Sequence, residues 1–456
     1  MQVAIVGCGR VGLVTGCGLA YLGHDVVCVD KALDKIEKLQ KGSLSFYEPY
    51  LEGLIGRASQ EGKLAFSFNA SDAIRDADII FLCMGVRRSE DGEPDLSSLE
   101  GVARLITDKA RSSTLIVQRS TMPVQTGKLL REMLSVYARK KELGFSVAVN
   151  PQFLREGSAI NDFFHADRVL LGVDDPQSEE LLRELYRPII GRTFRCPLHE
   201  TACSTAKPAV LVTTVQSAEL IKHSSNAYLA MKISYANFVA DLCDRLGGDV
   251  GDVSRAMGYD PRIGSAFLDA GLGFGGLRLP RDLRALIKLA EQLGVSTGLL
   301  SEVEQINIRR VDVFLDKIRQ ALWIIKDKQI GVLGLSFKAD TDDTRSSPAI
   351  SLIQRLILEG AKVRAYDPKA SASARENYPE IALGLGPYEI AERSEALVIA
   401  TPWNEFRQLD WERIRGSMAR PLLLDGCNLL KPAEMGGIGF EYYSWGRRMQ
   451  ENALTS

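Results

Sequence analysis

Long apolar runs are missing from this sequence. No stretch approaches the ~20 apolar residues that a membrane span needs, so no membrane partner is expected. An excess of charge is missing too. The formal net charge is −2 over 456 residues, which gives no ground for nucleic-acid or polyanion binding. No basic region with an apolar signal core precedes the first strand, and the expected location is cytoplasmic. The eight cysteines form no framework. Cys8, Cys17 and Cys28 lie in the first helical region and its flanking strands, a scatter that reads as reduced thiols rather than disulfides. Cys196, His199 and Cys203 share one short segment, but no fourth zinc ligand is evident, and no metal is expected.

What is present fits a globular protein. Hydrophobic content is 45% and charged content 25%, the usual balance for a packed core under a polar surface. The length exceeds one ordinary core, so two or three domains are expected. Gln2 to Val6 is a short apolar strand, followed at once by Gly7-Cys8-Gly9-Arg10-Val11-Gly12. Val11 to Leu22 then carries apolar residues at helical spacing, and Asp25 to Val29 forms a second strand that closes on Asp30. Glycines in such a turn let the backbone approach a pyrophosphate, which sits on the helix N-terminus. Asp30 lies about twenty residues beyond the glycines, where a carboxylate accepts from a ribose 2′-OH and repels a 2′-phosphate. NAD is therefore the expected cofactor.

More βα units follow. The runs 77–85, 114–118 and 145–149 read as buried parallel strands. Gly85, Thr121, Gln152 and Glu156 fall at or just beyond their carboxyl ends, where doubly wound sheets bind ligands. Ser217 to Leu246 is a long helical pattern ended by Gly247-Gly248. Lys222 and Asn226 share one of its faces. A long helix between two α/β halves commonly carries a subunit interface, so a dimer at least is expected. A second α/β half begins near Lys328, with strands expected at 330–335, 362–366, 397–400 and 422–425. It lacks GxGxxG and is expected to grip something other than NAD. The expected fold is α/β, with two Rossmann-like doubly wound domains joined by a long central helix. The expected divisions are 1–205 for NAD, 206–310 for a helical dimerisation region, and 311–456 for the second Rossmann-like domain.

In order, several runs resemble the UDP-glucose 6-dehydrogenase family of nucleotide-sugar dehydrogenases. They are the GCGRVG turn, Tyr47-Glu48-Pro49, Ser120 to Val124, Asn150 to Gly157, Ser217 through Asn226, Arg262-Ile263-Gly264, Gly273 to Asp282, and Phe337-Lys338 through Pro348. The resemblance covers nearly the whole chain and implies a UDP-sugar substrate and a homodimer or higher homo-oligomer. For NAD it implies Gly7, Gly9, Arg10, Val11, Gly12, Asp30, Lys35, Gly85, Ser120, Thr121 and Arg345. For the sugar nucleotide it implies Phe153, Leu154, Arg155, Lys222, Asn226, Arg262, Phe267, Phe274, Gly275, Arg278, Phe337 and Lys338, with Arg262 reaching across the dimer. Lys222, Asn226 and Asp282 match the groups that position the reacting oxygen and handle its proton. Thr121 and Glu156 match polar groups around the substrate and its water.

Departures from the family pattern sort by step. In the family reaction a hydroxyl is oxidised to an aldehyde; a cysteine then captures the aldehyde for a second oxidation. Here the cysteine's position holds Arg278, which stays protonated and offers only donors. The first glutamate of the usual NPEFLxEG run is Gln152. Both losses fall on the covalent stage. The expected function is thus an NAD-dependent oxidation of a UDP-sugar limited to two electrons, or its redox epimerisation. The alternatives are an inactive nucleotide-sugar-binding homologue and ordinary four-electron oxidation to UDP-glucuronate. Leu277, Leu279, Val86 and Cys427 also depart from the pattern, so the sugar itself can differ. Arg278 is a candidate partner for a carboxylate or phosphate on the ligand. Cys427 is a candidate relocated nucleophile, and 195–207 has the look of an insertion.

Overall fold

A computed structural model of the chain describes residues 1–85, 87–88, 94–138, 143–198 and 206–447. Two compact units emerge, Met1–His223 and Ser224–Ser456.

The first unit is built on β1 (Gln2–Val6), β2 (Asp25–Val29), β3 (Leu64–Ser67), β4 (Ile79–Leu82), β7 (Thr114–Gln118), β8 (Phe145–Val149), β9 (Arg168–Gly172) and β10 (Ala209–Thr213), with a short ribbon of β5 (Arg87–Arg88) and β6 (Pro94–Asp95) beside it. The sheet order is β10-β9-β8-β7-β4-β1-β2-β3. The six strands from β3 to β8 run parallel. β9 meets β8 antiparallel at Gly172 and Val149, and β10 follows β9 in parallel. The central strands β4 and β7 are buried along their whole length. Helices cover both faces of such a sheet, which is why these strands read as continuous apolar runs. The order reverses direction between β1 and β4. At that point the crossovers lie on opposite faces and leave a crevice at the carboxyl ends.

The second unit repeats the design with β11 (Gln329–Leu333), β12 (Lys362–Tyr366), β13 (Ala382–Leu383), β14 (Ala396–Ile399), β15 (Leu422–Asp425) and β16 (Glu441–Tyr443). All six are parallel, in the order β13-β12-β11-β14-β15-β16. The strand expected at 330–335 stops at Leu333, because Gly334 turns the chain out with φ +101°. The helix Val215–Leu246 runs on from the first unit into the second, where the helices Arg278–Gln292 and Gly298–Leu322 also lie. Among the described residues, no helix is long and apolar enough to cross a membrane.

Candidate active site

In the first unit, β1 empties into the glycine-rich turn. Gly7 has φ +105°, and a Cβ there would lie 3.0 Å from the backbone of Cys83. A Cβ at Gly12 would lie 1.9 Å from the Gly7 carbonyl oxygen. The protein itself therefore demands glycine at both positions. Gly9 is different: its φ is an ordinary −76°, and a Cβ there would meet nothing. Its lack of a side chain leaves open space before the N-terminus of the helix Arg10–Tyr21. A pyrophosphate would fit there, against Gly9 and the backbone amides of the first turn, without the Arg10 side chain.

Asp30 follows the end of β2 on the same side. Its Oδ2 accepts from the Cys8 amide at 3.0 Å and pairs with Lys35 Nζ at 2.9 Å; its Oδ1 accepts from the Ala32 amide at 3.2 Å. Burial alone would raise this carboxyl, but Lys35 and the two amides hold it below its usual value. An ionised acceptor is thus fixed where a ribose diol would reach it. The turn and Asp30 together fit a dinucleotide.

Arg10 turns toward two carboxylates. Its Nη1 lies 3.5 Å from Glu48 Oε2 and 3.4 Å from Glu156 Oε2, and its guanidinium lies 4.7 Å over the Phe46 ring. Glu48 in turn accepts from the Gly157 amide at 3.0 Å and the Ala159 amide at 2.8 Å. The loop after β8 is held from within as well, by the Leu154 amide donating to Gln152 Oε1 at 2.7 Å. A glutamate could accept that bond equally, so glutamine preserves the loop's shape without its basicity. Phe153 faces inward beneath Lys222, whose Nζ lies 5.0 Å from the ring centroid. Arg155 is exposed and pairs with Asp162 at 2.6 Å. Ser120 and Thr121 follow β7 and are half-buried, while Leu154 is buried.

Two residues pin the start of the long helix to the loop after β7. Buried Glu219 accepts from the Gln125 and Gly127 amides at 2.7 and 2.8 Å and from Gln118 Nε2 at 3.3 Å. His223 Nε2 lies 2.9 Å from the Met122 carbonyl oxygen. Lys222 stands between these anchors and is buried.

In the second unit, Asp282 is fully buried, and Asn226 Nδ2 donates to its Oδ2 at 2.6 Å. Arg281 Nε reaches the other oxygen at 3.1 Å. Arg278 is half-buried and opens the helix Arg278–Gln292. It stands one turn ahead of Asp282 and on the same face. The preceding loop packs tightly: a Cβ on Gly275 would lie 2.4 Å from the Ser346 carbonyl oxygen and 3.0 Å from Phe337 Cβ. Asn307 brackets Phe274 from both sides, accepting from its amide at 2.7 Å and donating to its carbonyl at 3.0 Å. Lys338 Nζ donates to the Ala339 carbonyl at 2.6 Å. Arg345 Nε pairs with Asp343 at 2.8 Å. Phe267 is half-buried at φ 64°. Arg262 is mostly exposed, and its guanidinium pairs with Asp260 at 2.6 Å.

Three models of one family match in order: the NAD binding domain of the UDP-glucose/GDP-mannose dehydrogenase family over residues 1–190, its central domain over 216–309, and its UDP binding domain over 331–432. The chain belongs to the UDP-glucose/GDP-mannose dehydrogenase family. It is 38% identical to a UDP-glucose 6-dehydrogenase of Pseudomonas aeruginosa, over 98% of both chains. It is 40% identical to one of Rhizobium meliloti, over 98% of this chain and all of that one. A solved UDP-glucose dehydrogenase from Pyrobaculum islandicum superposes with a TM-score of 0.86 at 33% identity, covering 97% of this chain and 96% of that one. This is therefore an NAD-dependent nucleotide-sugar dehydrogenase, and its fold is the expected pair of Rossmann-like sheets with a central helix.

The two sheets of this dehydrogenase differ at matching places. Asp367, following β12, is the counterpart of Asp30. It is buried, and its Oδ2 accepts from the Leu335 and Ser336 amides at 2.8 and 3.0 Å and from Trp403 Nε1 at 3.1 Å. That carboxylate serves the protein's own backbone and has no face left for a ribose. Cys427 is half-buried, and burial pushes its thiol well above its ordinary value. A neutral thiol is a poor nucleophile, which speaks against Cys427 as a nucleophile. Among the described residues no group of three or more metal-ligating side chains exists. Cys196 lies 3.2 Å from His165 Nε2; His199, Cys203 and Val86 lie outside the described residues. Sequence reasoning noticed the runs holding Glu48 and Glu219 without giving either residue a task. Nothing local marks Asn307, which acts on a segment more than thirty residues away.

Proposed function

We propose that this dehydrogenase oxidises a UDP-sugar by two electrons and stops at the aldehyde or ketone, or returns the hydride and so epimerises the sugar. The observation that carries the reading is the composition of the helix start at 278–282. Asp282 is buried against Asn226, while one turn earlier stands an arginine. A cysteine at a helix N-terminus would be acidified and ready to attack. A guanidinium has no lone pair to offer a carbonyl carbon. Its charge also opposes the helix dipole, by about 0.3–1 kcal/mol, so helix stability alone does not favour it.

In this reading Lys222, Asn226 and Asp282 hold the reacting hydroxyl and take its proton. Bound NAD would accept the hydride from the same carbon. One alcohol then gives one carbonyl compound, one NADH and one proton. Thr121 and Glu156 order the substrate and its water. Phe153, Leu154, Phe267, Phe274, Gly275, Phe337 and Lys338 hold the UDP-sugar. Gly85, Ser120 and Arg345 flank the cofactor. The exposed Arg155 and Arg262 are kept as substrate contacts, Arg262 toward the partner's sugar in a dimer. The divisions 1–205, 206–310 and 311–456 are proposed as domains with these separate tasks.

The test is NADH formed per UDP-glucose consumed, with products resolved by mass. One NADH and an aldehyde are expected. Two NADH and a carboxylate would sink the two-electron limit in favour of four-electron oxidation. If one NADH and an aldehyde are found, Arg278→Cys combined with Gln152→Glu should raise carboxylate output; no gain with substrate binding intact would mean that the covalent step is not the missing part.

A further inference from the structure

We infer that Arg10 and Glu48 are positioning residues that clamp the loop bearing Glu156 against the cofactor turn, and that Arg10 is not itself a cofactor contact. The inference rests on the reading above only in giving Glu156 a place beside the substrate.

The geometry supplies a continuous chain of contacts inside the first unit. Arg10 is the first residue of the helix that follows the glycine-rich turn. Its side chain could have pointed at a pyrophosphate. Instead, a single nitrogen lies 3.5 and 3.4 Å from two carboxylates. These are ion-pair distances to both acids, so one cation serves the two carboxylates together. The Phe46 ring closes one face of the guanidinium at 4.7 Å. Both acids are buried, Glu48 at 4% and Glu156 at 7% exposed. Two buried carboxylates so close repel each other, and a cation between them relieves this.

Glu48 extends the clamp to the backbone. It accepts from the amides of Gly157 and Ala159, 3.0 and 2.8 Å away. Gly157 directly follows Glu156, and Ala159 opens the helix Ala159–Phe164. Glu48 thus fixes the main chain immediately after Glu156, while Arg10 fixes its side chain. The segment of Tyr47-Glu48-Pro49, more than a hundred residues upstream, ties the two together. Burial pushes the Glu48 carboxyl up, the Gly157 and Ala159 amides and Arg10 pull it down, and Glu156 pushes it up again.

Arg10→Met, Arg10→Lys and Glu48→Gln test the clamp on the full-length protein. Three readouts are needed: amide exchange at Gly157 and Ala159, NAD affinity by calorimetry, and kcat against KM for NADH formation from UDP-glucose. In Arg10→Met and Glu48→Gln, exchange at both amides should rise about tenfold and kcat should fall about tenfold, with NAD affinity within threefold of the parent. Arg10→Lys should recover part of kcat, since an ammonium can still lie between the acids. A tenfold loss of NAD affinity with exchange unchanged would overturn the inference and make Arg10 a cofactor contact. Faster exchange with kcat unchanged would also overturn it, leaving a purely structural tie. If the parent forms no NADH, the functional reading fails by itself. The clamp is then decided by exchange, NAD affinity and UDP-glucose affinity, the last expected to weaken in both variants.

Discussion

Asn226 and Asp282 carry the sharpest residue-scale consequence. Removing Asn226 takes the Nδ2 donor away from the fully buried Asp282 and leaves Arg281 on its other oxygen. A buried polar group stripped of a partner costs about 1–3 kcal/mol. Asn226→Ala should therefore lower the unfolding free energy by that amount and reduce NADH formation at least tenfold. Asp282→Asn should do comparable damage. The double variant should be little worse than either single one, because both remove the same bond. Additive losses in a double-mutant cycle would show that the two side chains act separately. Lys222 and Asn226 were legible as one helical face from their spacing alone. That Asn226 faces Asp282, fifty-six residues on, was not, because a helical pattern gives a face without saying what packs on it. Arg278 is the opposite case: its identity is plain in the sequence, and the structure adds that it opens a helix.

Glu219 poses the corresponding question for the long helix. Its carboxyl meets two amides at the start of the helix Thr126–Tyr137 and so joins two elements. Burial pushes this carboxyl above its ordinary value, with the Gly127, Gln125 and Gln118 donors working against the rise. The folded state then holds its proton more tightly than the unfolded chain does. Stability from this group is fully present below the unfolded value of about 4.3, and it is lost as pH rises through the raised folded value. Glu219→Gln cannot titrate. Melting curves at pH 5 and pH 8 should show the parent's advantage over Glu219→Gln larger at pH 5; an equal gap at both would mean that the carboxyl is not raised. Most central strands were legible because β2, β7 and β8 are largely apolar runs bounded by turn residues. β3, β9, β10, β13, β16 and the short ribbon of β5 and β6 were not anticipated. β10 alternates between exposed and half-buried positions at the sheet edge, where apolar patterning is weak. β13 is only two residues long.

The whole molecule leaves a stripe uncovered on the long helix. Tyr228, Tyr235, Phe238, Leu242 and Leu246 are between 41% and 80% exposed. Tyr228, Tyr235 and Leu242 repeat every seven residues, so they lie along one side of the helix. An apolar face of this kind marks an interface, and we propose that a second copy of the chain covers it. Light scattering at micromolar concentration should give a dimer or higher assembly, and Tyr235→Asp with Phe238→Asp should give a monomer. A parent that is already monomeric would remove the proposal. Arg262, exposed on a nearby stretch of chain, would then lose its role toward a partner's sugar.

The sequence by itself determined the fold class, the cofactor turn and the family, because each is written in contiguous residues. Gly12 answers to the Gly7 carbonyl within one βα turn, and a strand's burial shows in its own composition. Only the tertiary structure decided what each side chain meets. Arg10, expected on a cofactor, lies between Glu48 and Glu156; Asp367, matching Asp30 in place, is closed off by backbone amides and Trp403. The reason is physical. Propensity and patterning act over a few neighbouring residues, whereas a buried charge takes its partners from wherever the chain returns.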